Sequence, residues 1–147
     1  MSGIVCAIRG GPSSQPTIDR AVALADETGL TLHFLYVVNL GFLTHTVTSR
    51  VRTISEEMRQ MGESILLTAQ TRAAQRGVIA QADVRQGEVM EEIAKLCHEL
   101  NATYLVLGTP GGEDEGNVFT EGRLAQFRKQ IEKETGASVI LEEESSR

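Results

Sequence analysis

Five short segments along the chain have the hydrophobic pattern of strands. Four of them are nearly continuous runs of apolar or β-forming residues, at positions 3–8, 30–38, 104–107 and 137–141. Such runs are typical of parallel strands that are covered on both faces. In residues 78–85, apolar positions alternate with polar ones. This weaker pattern predicts a strand at an edge of the sheet.

Helical periodicity fills the intervals between these strands, with apolar residues three or four positions apart. Ser13 and Ser14 are candidates to cap the first helix, and Phe119 and Leu124 bracket Thr120 as a hydrophobic staple at the start of the last. The four predicted helices run from Ser14 to Gly29, from Val51 to near Gly77, from Val89 to Leu100, and from Thr120 to Gly136.

The second helix is predicted to be the longest. A loop over residues 39–50 precedes it, longer than most connections in such folds. Met58, Met61 and Ile65 lie on one side of the helical pattern, and we expect them to face the sheet as core residues.

Strands and helices therefore alternate strictly along the chain. This order predicts an α/β fold: a five-stranded, doubly wound parallel sheet with strand order 3-2-1-4-5 and helices on both faces. We expect residues 1–147 to form a single domain.

The composition and net charge argue against some classes of function. Of the residues, 41% are hydrophobic, and the formal net charge is −6. A negative chain of this kind is not expected to offer a broad surface to nucleic acid or to an anionic membrane. The N-terminus lacks the pattern of a secretory signal, and the apolar runs are too short to span a bilayer. We expect a cytoplasmic protein.

The residues that most often bind metals show no metal-binding pattern. Cys6 lies in the first apolar run and Cys97 on the apolar side of the third helix, so both are expected to be buried thiols. His33, His45 and His98 lack the spacing of metal ligands. We expect no metal site.

The fold predicts where a ligand would bind. In sheets of this type, ligands bind beyond the carboxyl ends of the strands, at the point where the strand order reverses. With the predicted order, that point lies between the first strand, which runs into Arg9, and the fourth, which runs into Gly108. The loops RGGPSS and GTPGGEDEGN are expected to face one another there.

At these residues the chain resembles the universal stress protein family. The first strand, loop and helix match the family's opening, as does LTLHFLYVV, and VRQGEVMEEIAKLCHELNATYLVLGTPGG matches better still. The resemblance covers nearly the whole chain. It implies the same five-stranded fold, a homodimer, and in some members a bound ATP. Members that bind ATP have an aspartate after the first strand and Gly-x2-Gly-x9-Gly-Ser/Thr after the fourth.

The chain departs from that pattern after both strands. Arg9 occupies the aspartate position. After the fourth strand, Gly108 and Gly111 are present, but the next matching glycine, Gly122, is in step only when counted from Gly112. Arg123 stands at the Ser/Thr position. The candidate ligand-binding residues are Arg9, Gly10, Val38, Gly108, Gly111, Gly112, Gly122 and Arg123.

Three interpretations of the predicted ligand site remain open. Glu113, Asp114 and Glu115 would repel a triphosphate. Arg9 could pair with these acids, could bind an anion other than ATP, or could take part in an atypical ATP site.

The functional prediction is a dimeric stress-response or signalling domain that is not an enzyme, with no cofactor expected. No residue pair resembles an activated nucleophile with its base. The dimer is expected to form through the last strand, from Ala137 to Leu141, because an apolar edge strand tends to pair. The alternatives are an ATP-binding member of the family and, in another class, a small enzyme that hydrolyses or transfers nucleotides.

Overall fold

A computed structural model of the chain describes residues 3–9, 14–39, 48–109 and 121–143. Strands and helices alternate as predicted. The nine elements are β1 (Gly3–Ala7), α1 (Gln15–Thr28), β2 (Thr31–Val38), α2 (Thr48–Ala74), β3 (Ala80–Gln86), α3 (Val89–Leu100), β4 (Tyr104–Thr109), α4 (Glu121–Thr135) and β5 (Ser138–Glu143).

The five strands form one parallel sheet in the order β3-β2-β1-β4-β5. This confirms the predicted fold class and the predicted edge position of β3. β1 is central because its residues are apolar and buried on both faces: Cys6 lies between Phe34 of β2 and Val106 of β4. A continuous apolar run has no face that could tolerate solvent.

Two aliphatic cores lie on opposite faces of the sheet. One packs α1 and α2 against residues such as Ile4 and Phe34, and the other packs α3 and α4 against residues such as Val5 and Leu35. Cys6 belongs to the first core and Cys97 to the second, and each is buried and outside any disulfide bond, as predicted. In the described part of the chain, no helix combines the length and apolarity needed to cross a membrane.

The prediction for the sheet-facing side of α2 was wrong at Met61, whose side chain is 53% exposed. Met58 and Ile65 are half-buried. The fully buried positions belong to smaller residues and one leucine, on a side rotated from the predicted one. These residues are Gly62, Leu66, Ala69 and Ala73. Small residues bring the helix close to the sheet, and a prediction based on large side chains missed that side.

Several boundaries also differ from the sequence-based ones. α2 begins at Thr48, so the preceding loop is shorter than predicted. Gly108 does not end β4, because it continues the ladder by pairing with Glu142. β5 includes that glutamate and Glu143, although the apolar run that predicted the strand ends at position 141. Backbone pairing holds these polar residues in the strand although their side chains suggest a tail.

The N-terminal cap of α1 is only partly as predicted. Ser14 occupies the N-cap position, yet its buried side chain makes no capping hydrogen bond. The other capping candidate, Ser13, and the staple around Thr120 lie outside the described residues. The C-terminal end of α1 is as predicted, with Gly29 in the left-handed conformation.

Candidate functional site

The carboxyl ends of the three central strands border a cavity of about 170 Å³. This is the position that the strand order predicted for a ligand. Most of its wall is apolar. The lining residues are Ala7, Ile8, Arg9, Leu35, Tyr36, Val37, Val89, Leu107 and Gly108.

Among the described residues that line the cavity, Arg9 is the one that carries a charge. Its position follows from the preceding residue, because the Ile8 amide donates a 2.9 Å hydrogen bond to the Leu35 carbonyl and extends the pairing of β1 with β2. Ile8 is buried, and Arg9 is the first exposed side chain after the strand. The backbone is therefore fixed up to the residue that carries the guanidinium.

Among the other predicted site residues, Gly108 lines the cavity from β4. Val38 is buried next to the lining residues of β2, and its carbonyl accepts a 2.9 Å hydrogen bond from the Gly87 amide. That bond closes the turn from β3 to α3, so Val38 helps to position the first residue of α3, the lining residue Val89.

The remaining predicted site residues cannot be placed in the cavity. Gly10, Gly111 and Gly112 lie outside the described residues, as do the acidic residues 113–115. Gly122 and Arg123 belong to the first turn of α4. The pairing of Arg9 with the acidic loop thus stays a prediction.

Seven of the nine described lining residues were not among the predicted site residues, and Val89 and Tyr36 are two of them. Val89 appeared there only as part of the apolar stripe of α3, and Tyr36 only as a residue of a β-forming run. The signal for Val89 was available, because the turn Gln86–Gly87 returns the chain to the same edge of the sheet. Tyr36 carried no comparable signal, since any residue near the end of β2 could have lined the cavity.

The N-terminus of α3, beside the cavity, is already supplied with negative charge. The Glu88 carboxylate accepts a 2.8 Å hydrogen bond from the Glu91 amide and so caps the helix. Glu91 and Glu92 follow in the first turn, and Lys95 lies 3.2 Å from Glu92. These carboxylates already interact favourably with the helix dipole and would repel a further negative charge. This end of α3 is therefore a poor site for an anion.

A bidentate ion pair connects α3 with the edge strand β3. Arg85 donates two hydrogen bonds of 2.9 Å to the Glu99 carboxylate, and a third, of 3.2 Å, to Asp83. The hydrogen bonds from Arg85 lower the pKa of Glu99. The pair holds the helix that supplies Val89 to the cavity.

Groups suited to metal binding or nucleophilic chemistry do not gather at the cavity. In the part of the chain that the structure describes, no set of three or more His, Cys, Asp and Glu residues could hold a metal ion. Burial raises the pKa of the Cys97 thiol to about 12, so it is protonated near neutral pH. The described residues give the cavity an apolar wall and one guanidinium, that of Arg9.

Comparisons with known proteins identify the family of the chain. The sequence model of the universal stress protein family matches residues 1–128. Over 116 residues the chain is 32% identical to Universal stress protein YxiE of Bacillus subtilis (strain 168), covering 74% of this chain and 78% of that protein.

Two solved structures share the fold. The universal stress protein from Archaeoglobus fulgidus in complex with dAMP has a TM-score of 0.65 at 14% identity, covering 96% of this chain and 97% of that one. A universal stress protein in complex with cAMP has a TM-score of 0.68 at 20% identity, covering 98% of both chains. Because the family's sequence model spans most of the chain and the Bacillus protein is similar over three quarters of it, this chain belongs to the universal stress protein family.

Proposed function

We propose that this protein is a non-catalytic stress-response domain that binds a small anionic ligand in the cavity at the carboxyl end of the sheet. The observation that carries the proposal is the position of Arg9, the charged residue on an otherwise largely apolar wall. A guanidinium offers several N–H donors in a planar fork, which suits a phosphate or a carboxylate. The apolar wall would hold the uncharged part of the ligand.

The size of the cavity favours a small ligand. Pockets for drug-sized ligands typically enclose about 300–1,000 Å³, whereas this cavity encloses about 170 Å³. The charges favour a ligand with few negative groups, because three glutamates lie at the start of α3 and three further acids lie in the chain between β4 and α4. We therefore do not expect ATP–magnesium to be the preferred ligand.

An adenine mononucleotide is the second candidate. Two proteins of the same fold were solved with dAMP and with cAMP, each of which carries a single phosphate. In this chain the base would lie against the apolar wall and the phosphate near Arg9. AMP would carry fewer charges toward the glutamates than ATP does, so the mononucleotide suits the charges of the altered site better than ATP.

We also propose that the protein forms a homodimer through the edge of β5. The amide of Ser138 donates a 2.9 Å hydrogen bond to Thr103, toward β4, and the next amide, of Val139, donates to the Glu132 side chain at 3.3 Å. Amides alternate in direction along a strand, so those of Val139 and Leu141 face the open edge. Such an edge can add a strand from a second copy, which would replace the Glu132 side chain as the partner of the Val139 amide.

Ligand binding can be tested by calorimetry and thermal unfolding with AMP, inorganic phosphate and ATP–magnesium. A ligand at 100 times its dissociation constant stabilises the native state by about 2.7 kcal/mol, which raises Tm by several degrees at roughly 2–4 °C per kcal/mol. We expect such a rise with AMP or phosphate and a smaller one with ATP–magnesium.

The Arg9→Ala variant should lose this rise, and Arg9→Lys should keep part of it. Arg20→Ala is the matched control, because Arg20 is an exposed arginine of α1 that does not line the cavity. Equal responses from Arg9→Ala and the wild type would refute the anion site. A response to ATP–magnesium larger than that to AMP would favour an ATP-binding protein instead.

A further inference from the structure

One residue of the cavity also packs tightly against a surface helix. Tyr36 lines the cavity, and its neighbours in β2, Leu35 and Val37, belong to the core beneath α3 and α4. Tyr36 itself packs with the opposite core, beneath α1 and α2. Tyr36 therefore borders the cavity and also packs on the face of the sheet that α1 and α2 cover.

The contact between Tyr36 and α2 leaves no room for a side chain at Gly62. A Cβ atom placed on Gly62 would lie 2.5 Å from Cδ2 of Tyr36, 3.0 Å from Cε2 and 3.2 Å from Cγ. These atoms include the root of the ring, which cannot move without changing the side chain's position. A displacement of Tyr36 toward α2 would therefore press on the helix at Gly62.

Gly62 also marks a change in how firmly α2 is packed. Beyond it the helix has buried residues at Leu66, Ala69 and Ala73, and Gln70 donates a 2.9 Å hydrogen bond to the Ala80 carbonyl. Before it, none of the described side chains in residues 50–61 is fully buried. Segments with little buried apolar surface lie at the low end of local stability and shift most easily.

We propose that Tyr36 couples the cavity to α2, so that a ligand in the cavity changes the docking of residues 50–61. The coupling rests on the proposed function, in that the cavity must take a ligand. Small sliding of a packed helix is an established form of conformational change. Residues 50–61 would then be the surface through which ligand occupancy becomes visible to other molecules.

The first experiment measures amide hydrogen exchange in residues 50–61 with and without AMP, and with and without inorganic phosphate. We expect a bound probe to change exchange there, while exchange around Ala69 and Ala73 stays the same. Exchange in residues 50–61 that is unaltered by a probe shown by calorimetry to be bound would overturn the coupling. Failure of both probes to bind would count against the proposed function and leave the coupling to the next experiment.

The second experiment perturbs α2 and observes the cavity. Gly62→Ala should shift the amide NMR signals of Ala7 and Val89 in the unliganded protein. For a probe that binds the wild type, it should also raise the dissociation constant by about fivefold or more, the lower end of typical coupling between sites. Ser64→Ala, at an exposed position of the same helix, is the control and should do neither. Unshifted signals in folded Gly62→Ala would overturn the coupling.

A rescue variant distinguishes coupling from general damage. Combining Gly62→Ala with Tyr36→Val removes the ring that the new Cβ would meet, so the signals of Val89 and Ala7 should return toward those of Tyr36→Val alone. If Gly62→Ala does not fold, Tyr36→Val by itself should speed exchange in residues 50–61. If Tyr36→Val folds and its amide hydrogen exchange in residues 50–61 equals that of the wild type, the proposal is refuted.

Discussion

Two adjacent leucines of α2 provide a sharp test of how the helix lies on the sheet. Leu66 is 3% exposed and belongs to the core beneath α1 and α2, whereas Leu67 is 63% exposed. The same substitution to alanine at each position removes the same atoms from the same helix. Helix propensity changes equally in both variants, so the difference between them reports burial alone.

The expected magnitudes are far apart. Truncating a buried leucine to alanine costs about 2–5 kcal/mol, because the transfer free energy of the lost atoms and the cavity left behind add together. Truncating an exposed leucine away from special features changes stability by no more than about 0.5 kcal/mol. A loss of ~3 kcal/mol at Leu66 would lower Tm by roughly 6–12 °C in a domain of this size.

Urea unfolding followed by far-UV circular dichroism is a suitable assay, since the chain has no tryptophan. Both variants should be compared with the wild type at one fixed protein concentration, because a dimer's stability depends on concentration. We expect a lower midpoint for Leu66→Ala with an unchanged slope, which is the signature of lost stability. Equal losses in the two variants, or a larger loss for Leu67→Ala, would refute the helix orientation.

Three further predictions concern thiols, pH and assembly. Cys6 and Cys97 are both buried, so we expect a thiol reagent at pH 8 to label neither in the folded protein and both in denaturant; rapid labelling without denaturant would contradict their burial. Arg72 donates two hydrogen bonds to Asp19 and lowers its pKa below the ordinary 3.8, so the pair's stabilisation is present above that value and is lost as pH falls through the folded pKa. Asp19→Asn should therefore flatten the stability profile between about pH 5 and 3, and an unchanged slope in urea titrations there would exclude the pair as its source. Leu141→Pro, at an amide that faces the open edge, should convert the dimer to a folded monomer in sedimentation experiments, and a wild type that sediments as a monomer at all concentrations would refute the dimer.

The strand order could be predicted because it depends on features that hydrophobic pattern records directly. A central parallel strand must be apolar on both faces, and the segment around Cys6 satisfies this over its whole length. The alternating pattern that ends near Arg85 correctly indicated an edge strand. The side of α2 that faces the sheet was harder to predict, because Gly62 is buried for its small size and carries no hydrophobic signal of its own.

The position of the candidate site could be predicted from the sequence, but most of the residues that line it could not. Strand order alone located the cavity between Arg9 and Gly108, because parallel strands bring their carboxyl ends to one edge. Tyr36 could not be assigned to it from local sequence, whereas the Gln86–Gly87 turn before Val89 offered a signal for that residue. The dependence of the cavity on packing matters for how ligand binding can vary within the family. A motif records which residues touch the phosphates, whereas the shape of the apolar wall is set by packing that extends to α2. A chain can therefore change its motif, as this one does at Arg9, and still keep a cavity whose preferred ligand and response have to be measured directly.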